Sequence, residues 1–353
     1  MIKAIGNGRG KSMAGPTPDR DPEANTEHLT RRSFLRGLGG FLASHWLLSS
    51  VALGGGGLVA WAEHDTTTIK LEKWDLFYPG LPAALNGKTI VQLSDLHLES
   101  LQLPPAKIKQ TLGGLQPDLL VFTGDLISTR SDLDKVQAYL DPWEARQGRY
   151  FVMGNNDYAH FSRTLFKRYL SLLRGMGWIP LLNQAEYLTE LNLWVIGIDD
   201  PATAHDDVDK AYASMTAAGT KPDNITVPTP GTAGAPEPAL AQAPNSPARQ
   251  SQAFRLVLAH STDCLDDVAA YGADLLLTGH THGGQIRLPG FKPLVTNTYL
   301  GGQGIYEGYH IIDGVPLYIN RGIGESVLPL RLNALPEITL FTLHLGNSPA
   351  QHG

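Results

Sequence analysis

The chain has 353 residues, 42% of them hydrophobic and 18% charged, which suits a sizeable core in one large or two small domains. A net charge of -6 argues against a generally basic nucleic-acid-binding surface, so no stable nucleic-acid partner is expected. The single cysteine, Cys264, excludes an internal disulfide and a zinc site of several thiolates, which leaves Asp, Asn and His to hold any metal.

Residues 1–29 are polar, rich in Gly, Pro and charge, and without periodicity, so they are expected to be disordered. The run Thr30-Arg31-Arg32-Ser33-Phe34-Leu35-Arg36 resembles a twin-arginine export signal. From Gly37 to Ala62 there is no Asp, Glu, Lys or Arg, and the stretch ends in the small-x-small pattern Ala60-Trp61-Ala62. It is long enough to span a bilayer, although Gly54 to Gly57 lower its hydrophobicity and helix stability. Residues 30–62 are therefore expected to be a twin-arginine signal, cleaved after Ala62 or kept as a membrane anchor. On that reading the partner is the twin-arginine export machinery. The remainder is then periplasmic, or anchored to the membrane and facing outward.

The rest, residues 66–346, is expected to be one domain. Residues 66–80 alternate and open it with an edge strand. Short apolar runs follow at Thr89–Leu93, Leu119–Thr123, Tyr150–Met153, Leu193–Ile198, Arg255–Ala259, Leu275–Thr278, Val315–Asn320 and Ile338–Leu345, whose length and β-branching favour strands. Helical spacing marks Pro105–Leu115, Asp132–Leu140, Tyr158–Met176 and Thr262–Tyr271. Strands that alternate with helices, then strands with fewer helices, predict an α/β fold: a mixed two-sheet β sandwich flanked by helices. A Pro- and Ala-rich segment at about 218–252 lacks apolar periodicity and reads as a flexible insertion in a surface loop.

Five apolar runs end in groups that bind metals. They lead into Ser94-Asp95-Leu96-His97, Gly124-Asp125, Gly154-Asn155-Asn156-Asp157, His260 and Gly279-His280-Thr281-His282. In open α/β sheets the carboxyl ends of strands are where sites form. Asp and Asn offer oxygen and His offers nitrogen, a set that suits Mn, Fe, Zn or Mg. Asp95-x-His97 and His280-x-His282 put two ligands on one side of extended backbone. The glycines before Asp125, Asn155 and His280 allow tight turns and close approach. One carboxylate can bridge two ions, and two ions can bind a shared hydroxide and a phosphate for in-line displacement.

In this order, these motifs resemble the calcineurin-like metallophosphoesterases, over roughly Lys88 to Gly324 without the insertion. The export-like signal, Ser-Asp-Leu-His, and Gly-His-Thr-His-Gly-Gly-Gln followed by Asn320-Arg321-Gly322-Ile323-Gly324 resemble the exported or membrane-associated branch of bacterial phosphodiesterases, which includes enzymes of lipid A precursor cleavage. The resemblance implies two divalent metal ions. Asp95, His97 and His282 would hold one, Asn155, His260 and His280 the other, and Asp125 would bridge them. It makes Asp157 an orienting residue and implies a two-sheet sandwich. Many members carry His where this chain has Asn156, beside the phosphate ester. An amide donates a hydrogen bond but is no general acid, which shifts the expectation toward pyrophosphate or activated diester bonds. Arg321, flanked by glycine after a strand end, is a candidate for pairing with a substrate phosphate.

The leading expectation is thus a metal-dependent phosphoric ester hydrolase that attacks a phosphodiester or pyrophosphate with metal-bound hydroxide. Its phosphoester substrate would be a cell-envelope lipid or a nucleotide-linked lipid. The competing readings are a phosphodiesterase for soluble nucleotides and a non-catalytic, metal-containing envelope binding module. Asp199 and Asp200 are expected to cap a turn with Pro201 rather than bind metal, and Cys264 to be a buried small residue.

Overall fold

The computed structural model describes residues 55–347, apart from Pro142, His160, 218–251, 289–291, 294–295 and Val327. The segment expected to be disordered (1–29), the twin-arginine motif (30–36) and nearly all of the Pro/Ala-rich insertion lie outside the described residues. The strands are β1 (Lys70–Tyr78), β2 (Thr89–Leu93), β3 (Leu119–Thr123), β4 (Gly148–Val152), β5 (Ile179–Pro180), β6 (Gln184–Leu188), β7 (Leu193–Gly197), β8 (Phe254–Leu258), β9 (Leu275–Thr278), β10 (Gly308–Ile312), β11 (Val315–Ile319) and β12 (Glu337–Leu345). The helices are α1 (Gly55–Thr67), α2 (Pro105–Leu112), α3 (Leu133–Leu140), α4 (Asn155–Tyr158), α5 (Arg163–Gly175), α6 (Val208–Ala217), α7 (Leu265–Tyr271) and α8 (Tyr299–Gly302).

The strands form two six-stranded sheets, ordered β1-β12-β2-β3-β4-β5 and β10-β11-β9-β8-β7-β6. Alternation along the apolar runs assigns their side chains to layers. In β3, Leu119 and Val121 point into the core between the sheets, while Leu120 and Phe122 point out under α2, α3 and α5. In β9, Leu275 and Leu277 face the central core and Leu276 faces the layer under α6 and α7. Such strands are buried on both faces, which is why they read as unbroken apolar runs rather than as alternating ones. The α/β two-sheet sandwich flanked by helices is the architecture expected from the sequence.

Local chemistry explains the breaks. The stretch read as one helix from Tyr158 to Met176 is two helices, because Ser162 adopts extended backbone and its hydroxyl accepts from the Leu165 N–H as the N-cap of α5. The stretch Thr262–Tyr271 opens as a 3-10 turn, Thr262–Cys264, capped by Ser261, before α7 begins. The Asp200 carboxylate accepts from Thr203 N–H and Oγ1 and caps the 3-10 turn Pro201–Thr203. Cys264 is buried.

Helix α1 runs through Ala60-Trp61-Ala62 and then docks. At its end Asp65 and Thr66 are buried and receive the Asn333 and Arg331 N–H groups. The edge strand expected at 66–80 is β1, whose ladder partner is β12.

Where β2 and β3 begin, the Asp118 carboxylate accepts from Thr89 N–H (2.9 Å) and Lys88 Nζ (3.0 Å). Burial acts to raise its pKa, but these donors outweigh it and hold the carboxyl below the ordinary range. A group with a depressed folded pKa contributes stability above its unfolded pKa, about 4, and loses that contribution as pH falls through the folded value. Asp118→Ala is expected to cost about 1–3 kcal/mol at pH 7 by leaving Thr89 N–H without its acceptor. In urea unfolding, the gap from wild type should narrow at pH 3; an equal gap at both values would contradict the assignment.

Candidate metal centre

Strands β2, β3 and β4 are neighbours and mutually parallel in one sheet, as are β8 and β9 in the other. Their carboxyl ends therefore open on one edge of the sandwich, and each turns out of the sheet at once. Asp95, His97, Asp125, His280 and His282 all have positive φ, between 43° and 69°. That left-handed conformation is uncommon for residues with a Cβ and marks strain at a functional turn. The two sheets are tied beneath the turns by Gln92, whose amide donates to Thr123 Oγ1 (3.0 Å) and across to the Thr278 carbonyl (2.9 Å).

The turns bring two triads together, Asp95–His97–His282 and Asp125–His260–His280, all buried and each with its ligand atoms within 4.8 Å of one another. In the first, His97 Nε2 lies 3.1 Å from His282 Nε2, and Asp95 Oδ1 lies 3.4 Å from His282 Nε2. In the second, His260 Nε2 lies 3.0 Å from His280 Nδ1. Asp125 Oδ2 is 3.5 Å from His97 Nε2 and 3.2 Å from His260 Nε2, so one oxygen faces both triads.

Side-chain partners fix which nitrogens face inward. His260 Nδ1–H donates to the Thr123 carbonyl (2.8 Å), which leaves Nε2 as the lone-pair atom. Ser128 Oγ, 2.9 Å from His97 Nδ1, does the same for His97. Burial and the neighbouring His260 push His280 down to about 3, and burial with His97 and Arg331 holds His282 well below its ordinary value. A neutral imidazole is the form that ligates. Burial acts to lower His260 too, but the Asp125 carboxylate overrides it and holds that group high. The cluster thus demands a nearby positive charge.

The residues fit two cations on a test independent of motif. Asp95 Oδ1 and Asn155 Oδ1 are buried side-chain oxygens without a hydrogen-bond partner. Such orphans are rare and costly unless something else satisfies them. Metal–ligand bonds of about 2.1 Å set neighbouring ligands about 3 Å apart, the spacing of the imidazole nitrogens here.

The remaining candidates surround this cluster. Asn156 donates from Nδ2 to Asp125 Oδ2 (2.7 Å) and from its backbone N–H to Oδ1 (2.8 Å). The Asp157 carboxylate accepts from the N–H groups of Asp125, Leu126, Ile127 and Gly154 and from the Tyr169 hydroxyl, which binds the Asp125 turn to the Asn155 turn. Burial and the Asp125 carboxylate push it up to about 7, against the pull of those N–H donors. Arg321 is met inside the fold by Glu72 (2.7 Å), Glu337 (2.9 Å) and Glu307 (3.3 Å). A substrate phosphate there would compete with three carboxylates.

Sequence reading missed Ser128, which orients His97, and Arg331, whose buried guanidinium touches His282. Neither belongs to a motif. The one signal for Arg331 is a charge between Leu330 and Leu332 in an apolar stretch.

Fold and site together define a metal-dependent phosphoric ester hydrolase with two divalent metal sites. The chain belongs to the calcineurin-like phosphoesterase family, whose model matches residues 88–284. It is 28% identical to the uncharacterized metallophosphoesterase YkuE of Bacillus subtilis, over 90% of this chain and 99% of that protein. It is 27% identical to the UDP-2,3-diacylglucosamine pyrophosphatase LpxG of Chlamydia muridarum, over 79% of this chain and 91% of LpxG. The crystal structure of phosphopantetheinyl hydrolase PptH from Mycobacterium tuberculosis covers 72% of this chain and 96% of its own, with TM-score 0.36 and 16% identity.

A Cβ on Gly279 would collide with Ser94 Oγ and Asp95 Oδ2. Gly279→Ala should therefore displace Asp95 and lower the metal content from two ions toward one, read by elemental analysis of purified protein. Two full equivalents in the variant would contradict this packing.

Proposed function

We propose that the chain hydrolyses a pyrophosphate or activated phosphodiester bond in a nucleotide-linked or other lipid of the cell envelope. The observation that carries the reading is Asp125 Oδ2 facing both triads, with Asn156 Nδ2 bound to that same oxygen. In this reading Asp95, His97 and His282 hold one ion, Asn155, His260 and His280 the other, and Asp125 bridges them. The ions, when bound, supply Lewis acidity toward the phosphoryl group and acidify water. Asp157 keeps the Asp125 and Asn155 turns in register. Asn156 steadies the bridging carboxylate and brings no acidic proton, so a leaving group that needs little protonation is favoured. A pyrophosphate's phosphate leaving group meets that condition. Likeness to LpxG along most of its length supports a nucleotide-linked lipid substrate.

The test is a substrate panel with added Mn and with chelator. UDP-2,3-diacylglucosamine and a bis-aryl phosphodiester should turn over with metal, and an alkyl phosphodiester poorly. Turnover of soluble nucleotides alone would replace the lipid reading, and metal binding without any turnover would favour a binding module. Asp125→Ala should lower kcat by ~10²- to 10³-fold or more. Asn156→His should improve alkyl esters relative to aryl ones; no relative gain would count against the leaving-group argument.

We also propose export by the twin-arginine route, with the domain periplasmic or anchored facing outward. Its support is the Arg31-Arg32 motif followed by an uncharged stretch. Arg31→Lys with Arg32→Lys should trap the protein in the cytoplasm on cell fractionation, and normal export would sink the idea.

A further inference from the structure

We infer that Arg331 is a positioning residue of the Asp95–His97–His282 triad, acting on His282 and Asp95, and that Asp65 and Thr66 at the end of α1 hold Arg331 in place. The inference rests on the two-metal reading above.

Arg331 has 0% of its surface exposed. A buried cation is costly unless its donors are used, and these are. Nε donates to the Gly324 carbonyl (3.1 Å), and Nη2 reaches the same oxygen. Nη1 donates to the Ala334 carbonyl (3.0 Å) and lies 3.5 Å from that of His282, while Nη2 donates to the Arg321 carbonyl (2.9 Å). The planar fork thus fastens separate loop segments in one geometry, which a lysine ammonium cannot reproduce.

Two ligands of one triad depend on this fork. Arg331 Nη2 lies 3.2 Å from His282 Nδ1, and Nη1 faces that residue's carbonyl, at a position where φ is 52°. An imidazole that ligates through Nε2 carries its hydrogen on Nδ1, so Nη2 cannot then donate to it. What reaches His282 is then Nη1 at its carbonyl, beside the carbonyl bonds that fix the neighbouring loop segments. Asp95 is reached through the loop: Gly324 N–H donates to the Asp95 carbonyl (2.7 Å), and Ile323 N–H to that of Ser94 (3.0 Å). The second triad is steadied by other groups, namely Thr123, Asn156 and Asp157.

Arg331 is itself clasped. Its N–H donates to Thr66 Oγ1 (2.7 Å), whose hydroxyl donates to the Ala62 carbonyl (2.6 Å). Asn333 N–H donates to Asp65 Oδ2 (2.6 Å). The end of α1 therefore reaches His282 through one side chain.

The experiment uses the full-length chain, stripped of metal with chelator and titrated with Mn by calorimetry. Wild type should take up two ions. Arg331→Lys and Arg331→Met should bind one ion as wild type does and the other ~10- to 100-fold more weakly. Thr66→Val should shift the same ion in the same direction by less. Site identity comes from combination: Arg331→Lys should weaken the ion that remains in His260→Ala but not the one that remains in His282→Ala. Should Arg331→Met fail to fold, Arg331→Lys and Thr66→Val decide the matter. A role in stability alone would lower the melting temperature of the metal-free protein and weaken both ions alike or neither; either result overturns the inference. Wild type that binds fewer than two ions removes the two-metal reading and the inference with it. Two ions in wild type and unaffected variants remove the inference alone.

Discussion

Buried lone pairs that point at one another repel unless a cation lies between them. In this molecule imidazole nitrogens meet at 3.0 and 3.1 Å, and carboxylate oxygens stand 3.2 to 3.5 Å from them, out of water. Protons relieve only part of this conflict, because His280 and His282 are held neutral while the oxygens Asp95 Oδ1 and Asn155 Oδ1 stay without partners. Two divalent ions, when bound, would supply the missing positive charge. Much else in the structure follows from gathering these groups on one edge.

The gathering strains the backbone and is sustained by the sheets. Five residues of the cluster occupy the left-handed region, at roughly 1–3 kcal/mol each. Strands buried on both faces supply rigid platforms that hold such turns. Gln92 ties the platforms together, and Asp157 ties adjacent turns within one of them. Gly154 and Gly279 lie where a Cβ would enter the space of Asp125 and Asp95, so the glycines of the motifs are requirements of packing as much as of turning.

The sandwich and the cluster were legible because both leave contiguous traces. Strands such as β3 and β9 are apolar up to a final threonine, and each ligand follows its strand within four residues. Elements with weaker traces went unread. β6 and β10 are half-exposed edge strands, β5 is two residues long, and α6 is rich in small and polar residues. Helix α1 falls on residues that read as an export segment up to Ala62 and as the start of the edge strand at Thr66 and Thr67, since its glycines obscure helical propensity. The engagement of Arg321 by Glu72, Glu307 and Glu337 joins residues distant along the chain, which local pattern does not reveal. Arg331 is illegible for another reason: its partners are backbone carbonyls, which carry no residue identity.

The placement of β12 has a consequence for how the molecule is assembled. This last strand lies between β1 and β2, parallel to the first and antiparallel to the second. β1 sits at the sheet edge and its ladder is with β12 alone among the described strands, so the beginning of the domain cannot join its sheet until the end has been synthesised. The ligands up to His282 emerge from the ribosome earlier than the loops that brace them. Closure of this sheet is thus a long-range step of high contact order, later than the pairing of β2, β3 and β4.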